Sequence, residues 1–240
     1  MNYMGNQDSK LRYKVRLNGV WLKSLKPFLS EPDEQTCSQP VDIAFIMDAS
    51  GSIGHDDFDR EKRFVQAVAK SFGVSKEGSH VGVITYSDAA AMNIKFGQHE
   101  DLASFVRDLK SLPYSRGRTR IDLALQLASE ELFTRRNGMR PKVPKIAVVI
   151  TDGEQTKVEG MIPLRKAASR LHEKGIQVIS LGIGSAVNVG ELFAMVQREE
   201  DVFQAEKFDT LIKQVKGLSE TACKASGKYI YLYLIYRKVG

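Results

Sequence analysis

Apolar and polar positions between residues 41 and 205 follow two patterns, continuous apolar runs and helical repeats. The apolar runs are residues 41–47, 80–86, 146–151, 176–181 and 202–203. Between them, apolar residues recur at intervals of three and four, which is typical of amphipathic helices. Strands that are apolar on both faces and alternate with helices predict a parallel sheet with helices on both sides.

One segment departs from this parallel pattern. Residues 91–96 alternate apolar and polar side chains, which predicts a half-exposed edge strand. We therefore predict an α/β, doubly wound, Rossmann-like fold, with a mostly parallel central sheet and one antiparallel edge strand. The helical repeats predict helices over about residues 56–72, 102–109, 121–132, 161–171, 191–196 and 209–221.

The charge imbalance lies outside this α/β pattern. The chain has 240 residues, 42% hydrophobic and 27% charged, with a net charge of +6. Residues 1–36 carry six basic and four acidic side chains, and residues 224–240 carry four basic and no acidic ones. The segment between them is therefore neutral, and the basic balance gives no argument for nucleic-acid binding.

Three segments follow from these patterns. Residues 1–36 are predicted to be a basic leader and linker, with turn signals such as Asn18-Gly19 and little order. Residues 37–223 form the α/β domain, and residues 224–240 form a basic aromatic tail outside its core. We see neither a signal peptide nor a membrane span, since the apolar run 229–236 is too short to cross a bilayer as a helix.

Oxygen-bearing side chains follow two of the predicted strands. Asp48, Ser50 and Ser52 come directly after the first apolar run, and Asp152 follows the third. The carboxyl ends of parallel strands meet at the sheet edge where ligands bind. Thr119 stands at or near the start of a predicted helix. Carboxylates and hydroxyls are the ligands that hard divalent cations prefer, so these five residues predict a metal site.

Each fragment also has an ordinary structural interpretation. Ser50 or Ser52 would be suitable as a cap for the next helix, Thr119 is typical of a helix N-cap, and Thr151-Asp152-Gly153 is typical of a turn. What favours metal binding is the occurrence of all the fragments in one α/β pattern, with two of them at strand ends.

The order Asp-x-Ser-x-Ser, a distant Thr and then Thr-Asp-Gly resembles the metal-ion-dependent adhesion site (MIDAS) of von Willebrand factor type A domains. The resemblance covers about residues 41–222, and all five motif positions match in type and order. It implies a Mg²⁺ ion, with Mn²⁺ or Ca²⁺ as alternatives, which a Glu or Asp of a protein partner then ligates. The implied metal ligands are Asp48, Ser50, Ser52, Thr119 and Asp152.

Arginines flank the Thr119 segment. Arg116 and Arg118 precede Thr119, and Arg120 follows it. Guanidinium groups bind carboxylate and sulfate groups well, so we expect Arg118 or Arg120 to steer an acidic ligand towards the cation. The alternative is a solvated surface rim that is unrelated to binding.

The resemblance implies a non-catalytic adhesion module, most like those of matrilins and non-fibrillar collagens. Its partner would be a matrix or cell-surface protein offering an acidic residue, with collagen, a sulfated glycan or a second copy of the domain as further candidates. Two other classes stay open, an intracellular assembly subunit with the same domain and a metal-dependent phosphohydrolase. The four histidines show no metal or triad spacing, and no phosphate loop or nucleophile elbow is present, so we predict no enzyme.

The two cysteines, Cys37 and Cys223, bracket the predicted domain. Secreted type A domains often carry such a terminal pair, so the resemblance implies a disulfide between them. Two unrelated buried thiols in a cytosolic protein are the alternative. A disulfide would place the protein in an oxidising compartment, in agreement with secretion into the extracellular matrix.

Overall fold

The computed structural model of the protein describes residues 40–207 and 210, and the backbone of four residues nearer the amino terminus. Those four form two strands that pair antiparallel, β1 (Arg16–Leu17) and β2 (Val20–Trp21). They belong to one compact unit, Met1–Gln35, and the remainder of the chain forms a second unit.

Several predicted features lie outside the described residues. These are Cys37, Cys223, the helix predicted over 209–221 and the tail 224–240. The disulfide, the order of the leader and the segment boundaries therefore stay predictions.

The second unit is built on a six-stranded sheet. Its strands are β3 (Asp42–Asp48), β4 (His80–Tyr86), β5 (Ala90–Ile94), β6 (Lys145–Thr151), β7 (Gln177–Ile183) and β8 (Val202–Ala205). Across the sheet the order is β5-β4-β3-β6-β7-β8, and every neighbouring pair is parallel except β4 with β5. The predicted mostly parallel sheet with one antiparallel edge strand is confirmed.

Burial along the strands explains the two sequence patterns. All seven residues of β3 are buried, and β6 and β7 are buried except at their first residue. The edge strand β5 instead keeps intermediate and exposed positions. The long continuous apolar runs therefore belong to strands covered on both faces, and the alternating run belongs to an edge strand.

Five α-helices of the described residues cover the sheet, and none of them is long and apolar enough to cross a membrane. They are α1 (Gly54–Phe72), α2 (Leu102–Lys110), α3 (Ile121–Leu127), α4 (Leu164–Glu173) and α5 (Val189–Met195). Helices α1 and α2 pack into one apolar cluster, and α3, α4 and α5 pack into a second one. Because each cluster shares its strand residues with one face of the sheet, helices on both faces are confirmed.

Helix boundaries differ most from the sequence prediction in two places. Helix α4 begins at Leu164, after Pro163, and not at residue 161. Proline restricts the residue before it to extended conformations, so the repeat cannot become helical until the proline is passed. The long repeat after Thr119 divides into α3 and a π-helical turn, Ala128–Leu132, which the Phe133 N–H closes by donating to the Ala128 carbonyl at 2.9 Å.

The order of strands places a crevice beside β3. The next strands in the chain, β4 and β5, lie on one side of β3. The later strands, β6, β7 and β8, lie on its other side. In doubly wound sheets, ligands bind at the carboxyl ends of the two strands between which the winding reverses. Asp48 ends β3 and Asp152 follows β6, so the topology brings both aspartates to this point.

Candidate metal centre

The turn after β3 forms the first side of the candidate site. Asp48 is fully buried, and its Oδ1 accepts a hydrogen bond from the Ser50 N–H at 2.9 Å. The turn brings the hydroxyls of Ser50 and Ser52 to 3.0 Å from each other. Helix α1 begins at Gly54 with Ile53 at the N-cap position, so neither serine occupies the helix cap that the sequence also allowed.

The loop after β6 forms the second side. The Ser52 hydroxyl donates to Asp152 Oδ1 at 2.8 Å. Hydrogen bonds thus run without interruption from Asp48 through Ser50 and Ser52 to Asp152. The structure brings these four residues together, and their role as metal ligands stays a prediction.

A glycine contact attaches the third segment to the site. The Gly51 N–H donates to the Gly117 carbonyl at 2.9 Å. Gly117 has a φ of +106°, and a Cβ at this position would lie 2.4 Å from Asp88 Oδ2. This positive φ favours glycine, so a side chain at residue 117 would be strained where the loop meets the turn after β3.

Thr119 is fixed through its backbone and not through its side chain. Its N–H donates to the Thr156 hydroxyl at 3.1 Å, and the Thr156 N–H donates back to the Thr119 carbonyl at 2.9 Å. The Thr119 hydroxyl donates to no other described residue, and α3 begins two residues later at Ile121 without a side-chain cap. The hydroxyl is thus not used as an N-cap.

Two hydroxyls lie under the second oxygen of Asp48. Thr151 Oγ1 donates to Asp48 Oδ2 at 2.9 Å. The Tyr86 hydroxyl lies 3.0 Å from the same oxygen and 2.8 Å from the Ile150 carbonyl, and its single proton serves one of them at a time. Tyr86 and Thr151 are buried, so Asp48 is enclosed by neutral hydrogen-bond donors.

Glu61 is a further acidic residue at the site that the sequence analysis missed. Its side chain is fully buried on α1, and its Oε1 accepts a hydrogen bond from the Asp48 N–H at 3.2 Å. Its Oε2 has no hydrogen-bond partner in the described part of the chain. A signal was present in the sequence, because residue 61 falls on the apolar stripe that Phe58, Val65 and Val68 define, where an acid is unusual.

Burial dominates the electrostatics of these acids. Burial raises the pKa of the Asp48 carboxyl, and hydrogen bonds from Ser50 and Thr151 oppose the shift. Burial, and then the charge of Asp48, raises the pKa of Asp152 to about 6. Burial, followed by the charges of Asp48 and Asp152, raises the pKa of Glu61 well above its usual range. Within residues 40–207 no lysine or arginine forms an ion pair with any of the three acids.

Arg118 and Arg120 are paired with acids of the same chain. Arg118 Nε donates to Asp88 Oδ1 at 2.5 Å, and both side chains are more than half exposed. Arg120 donates two hydrogen bonds to Asp122, at 2.8 and 2.9 Å, and only 14% of its side chain is exposed. Arg120 therefore anchors α3, whereas Arg118 stays accessible at the rim, and their predicted role in steering a ligand stays a prediction.

Arg116 lies on the rim next to an aromatic side chain. It has a positive φ of 59°, and its guanidinium lies 5.8 Å from the centre of the Tyr114 ring. The Tyr114 hydroxyl donates to the Ser50 carbonyl at 2.9 Å and accepts from the Gly54 N–H at 3.1 Å. Tyr114, another residue that the sequence analysis missed, thus ties the rim to the turn after β3.

The fold and the site together define an α/β domain with a cluster of oxygen-bearing side chains at the switch point of its sheet. The family model of the von Willebrand factor type A domain matches residues 42–217. The protein belongs to this family, and the resemblance found in the sequence is confirmed.

The relatives include proteins of the extracellular matrix. Cuticlin-6 of Caenorhabditis elegans is 29% identical over 185 residues, which cover 77% of this chain and 31% of the relative. Human matrilin-4 is 32% identical over 181 residues, which cover 72% of this chain and 28% of the relative. The collagen alpha-1(XXI) chain of Xenopus laevis is 29% identical over 189 residues, with 78% and 19% covered. The chain thus spans about a third or less of these relatives.

Solved structures agree with this assignment. Proximal thread matrix protein 1 from the mussel byssus, in a form with a zinc-occupied MIDAS motif, superposes with a TM-score of 0.71 and 26% identity. The match covers 79% of this chain and 47% of that one. The fold class is confirmed, and a structural neighbour holds a divalent cation in the corresponding motif.

Proposed function

We propose that the protein is a non-catalytic adhesion module of the extracellular matrix, which binds an acidic protein ligand through a Mg²⁺ ion. The observation that carries the proposal is the hydrogen-bonded set of Asp48, Ser50, Ser52 and Asp152 at the switch point of the sheet. Three buried or half-buried acids gather there without an ion-pair partner among residues 40–207.

The donor set fits a hard divalent cation. The residues that would hold the ion are Asp48, Ser50, Ser52, Thr119 and Asp152. Their carboxylate and hydroxyl oxygens are the ligands that Mg²⁺ prefers, with Mn²⁺ and Ca²⁺ as alternatives.

Neutral donors are what make such a site suitable for an acidic partner. A cation held mainly by hydroxyls keeps most of its positive charge and attracts a carboxylate. Ser52 is exposed and Asp152 is half-buried, so a partner's side chain can approach from this side. Asp48 is instead enclosed, and its oxygens already accept hydrogen bonds from Ser50 and Thr151.

The relatives guide the choice of partner and location. Matrilin-4, a collagen and a mussel thread matrix protein support a secreted module that acts in the extracellular matrix. We propose as partner a matrix or cell-surface protein with an exposed Glu or Asp, and collagen as the first one to test. A sulfated glycan and a second copy of the domain are the other candidates.

Binding of an immobilised partner with and without cation tests the proposal. The full chain should bind collagen in Mg²⁺ and lose binding in chelator. Thr119→Ala should abolish cation-dependent binding and leave folding intact, because the Thr119 hydroxyl donates to no described residue. Asp48→Ala should do the same with some loss of stability. The matched control is Ser129→Ala, which removes a buried hydroxyl that donates only to the Gln126 carbonyl.

Two results would count against the proposal. Chelator-insensitive binding by Thr119→Ala would show that the cation site is not the binding site. Mg²⁺-dependent hydrolysis of a generic phosphate ester by the wild type, lost in Asp48→Ala, would favour a phosphohydrolase instead.

A further inference from the structure

Strands β3 and β6 separate just before the site. Their register ends with the pair Ile46 and Val149, although β3 continues to Asp48 and β6 to Thr151. On the other side, β3 remains paired with β4 as far as Asp48. The crevice between β3 and β6 therefore begins two residues before the first candidate ligand.

This separation changes the hydrogen bonding of the Asp48 backbone. The Ala49 N–H donates to the Tyr86 carbonyl of β4 at 2.8 Å. Because successive N–H groups of a strand point to opposite neighbours, the Asp48 N–H points to the β6 side, beyond the last registered pair of β3 and β6. Glu61 Oε1 accepts this hydrogen bond at 3.2 Å.

Nothing in the packing of α1 calls for an acid at this position. Its neighbours on the same face, Phe58, Phe64 and Val65, belong to the apolar cluster, and Glu61 is 0% exposed. Its second oxygen is without a hydrogen-bond partner in residues 40–207. A buried carboxyl that is only half satisfied is unfavourable for folding, so a role outside folding is its most economical explanation.

We infer that Glu61 is a positioning residue of the metal site, which holds the Asp48 backbone where β3 leaves β6 and thereby sets the place of the Asp48 carboxylate. The side chain of Asp48 is held by Ser50 and Thr151, and the Glu61 hydrogen bond holds its main chain. This inference rests on the proposed function, since it assumes that Asp48 is a metal ligand. Removing a group that orients a metal ligand commonly weakens metal affinity.

Titration calorimetry of the full chain with Mg²⁺, and then with Mn²⁺, tests the inference. Glu61→Met removes the acceptor and keeps the side-chain volume, and Glu61→Leu is the second variant. Both should weaken cation affinity by roughly 10–100-fold. Glu61→Gln keeps an oxygen that can accept the Asp48 N–H, so its affinity should stay within about threefold of the wild type.

The matched control is Asp42→Asn, which alters a fully buried acid at the opposite end of the same strand. It should lower the midpoint of thermal unfolding and leave cation affinity unchanged. Glu61→Met should show the reverse, weaker cation binding with an unfolding midpoint in chelator that is unchanged or higher.

The possible results separate this inference from the proposed function. If the wild type binds Mg²⁺ and Mn²⁺ and Glu61→Met binds them equally well, the inference is overturned and the proposed function stands. An equal loss in Glu61→Gln and Glu61→Met would also overturn it, because the charge and not the hydrogen bond would then matter. If the wild type binds neither cation, both proposals fail.

Discussion

The two ends of β3 carry the same residue in opposite circumstances. Asp42 and Asp48 are both fully buried. At the first end, Arg140 encloses Asp42: its N–H donates at 2.7 Å, its Nε at 2.8 Å, and its Nη2 lies 2.7 Å from the same carboxylate. At the second end, Asp48 is surrounded by neutral donors and by the acids Glu61 and Asp152.

The difference separates an end whose charge is paired within the chain from an end at which we propose a ligand. A buried charge is tolerated when it is paired and fully hydrogen-bonded. The chain supplies the cation itself at Asp42, where Arg140 also donates to the carbonyls of Gly78 and Val41. It supplies none to Asp48 among the described residues. In the proposed function, a cation from outside the chain takes this place at the carboxyl end of the strand.

Removing the internal cation should have the largest effect. Arg140→Met leaves Asp42 buried without its partner, which should reduce the free energy of unfolding by roughly 3–5 kcal/mol. Urea denaturation with Mg²⁺ and with chelator measures this loss, which should be equal in both. Arg165→Met, an exposed arginine on α4, is the control and should change little. A loss of Mg²⁺ affinity in Arg140→Met would contradict the separation of the two ends.

Adding the external cation should have the next largest effect. At a Mg²⁺ concentration about 100 times the Kd, the free energy of unfolding should rise by about 2.7 kcal/mol relative to chelator. Wild type and Arg140→Met should gain equally, since the cation site is at the other end of the strand. Asp48→Ala should gain nothing, and a gain equal to that of the wild type would place the cation elsewhere.

Stability and cation affinity at the carboxyl end of β3 should depend on pH. Burial, and then the charge of Asp48, raises the pKa of Asp152 to about 6. Without metal, the stability from the protonated carboxyl is present at low pH and is lost as the pH rises through about 6. Cation binding needs the ionised form, so Mg²⁺ affinity should fall by roughly tenfold per pH unit below 6.

Calorimetric titrations between about pH 8 and about pH 5 measure this dependence. Burial also raises the pKa of Asp48, so this second proposed ligand acts in the same direction. Asp152→Asn should bind weakly with a flatter profile. A wild-type affinity that stays constant over this range would show that the acids are not the ligands.

Reversing the exposed rim charge should have the smallest effect. Arg118→Glu exchanges a surface pair with Asp88, in which both side chains are more than half exposed. Such pairs contribute about 0–1 kcal/mol, so folding should be unaffected and binding of an acidic partner slowed by a few-fold with a weaker salt dependence. Surface plasmon resonance at two salt concentrations measures the association rate. An unchanged association rate would show that Arg118 is a solvated rim residue without a role in binding.

Charge reversal at Arg120 would not test whether the rim arginines steer a ligand. Its guanidinium is bidentate to Asp122, whose carboxylate also accepts from the Ile162 N–H at 3.0 Å. A Glu at residue 120 would place two carboxylates together in a buried network, so loss of folding would be confused with loss of steering. Arg116→Glu is the better second variant, since Arg116 is exposed and its guanidinium lies over the Tyr114 ring.

The central strands and the candidate ligands were predictable because local patterns encode them. The apolar runs predicted the five parallel strands within one or two residues, and the Asp-x-Ser-x-Ser turn could be recognised directly after the first of them. The start of α4 and the π-helical turn after α3 were not predicted. The apolar repeat does not reveal where a helix starts or where its hydrogen bonding changes, because it shows only which face of the helix is buried.

The sequence by itself determined the sheet, its covering helices and the set of oxygen donors, since periodicity and motif order are properties of neighbouring residues. Only the tertiary structure decided that Glu61 and Tyr86 lie against Asp48, that Arg140 neutralises Asp42, and that Arg120 is bound to Asp122. These contacts join residues from 2 to 98 positions apart in the chain. Which charge is paired and which is left for a ligand depends on that packing, because burial makes an unpaired charge unfavourable only once the elements have come together.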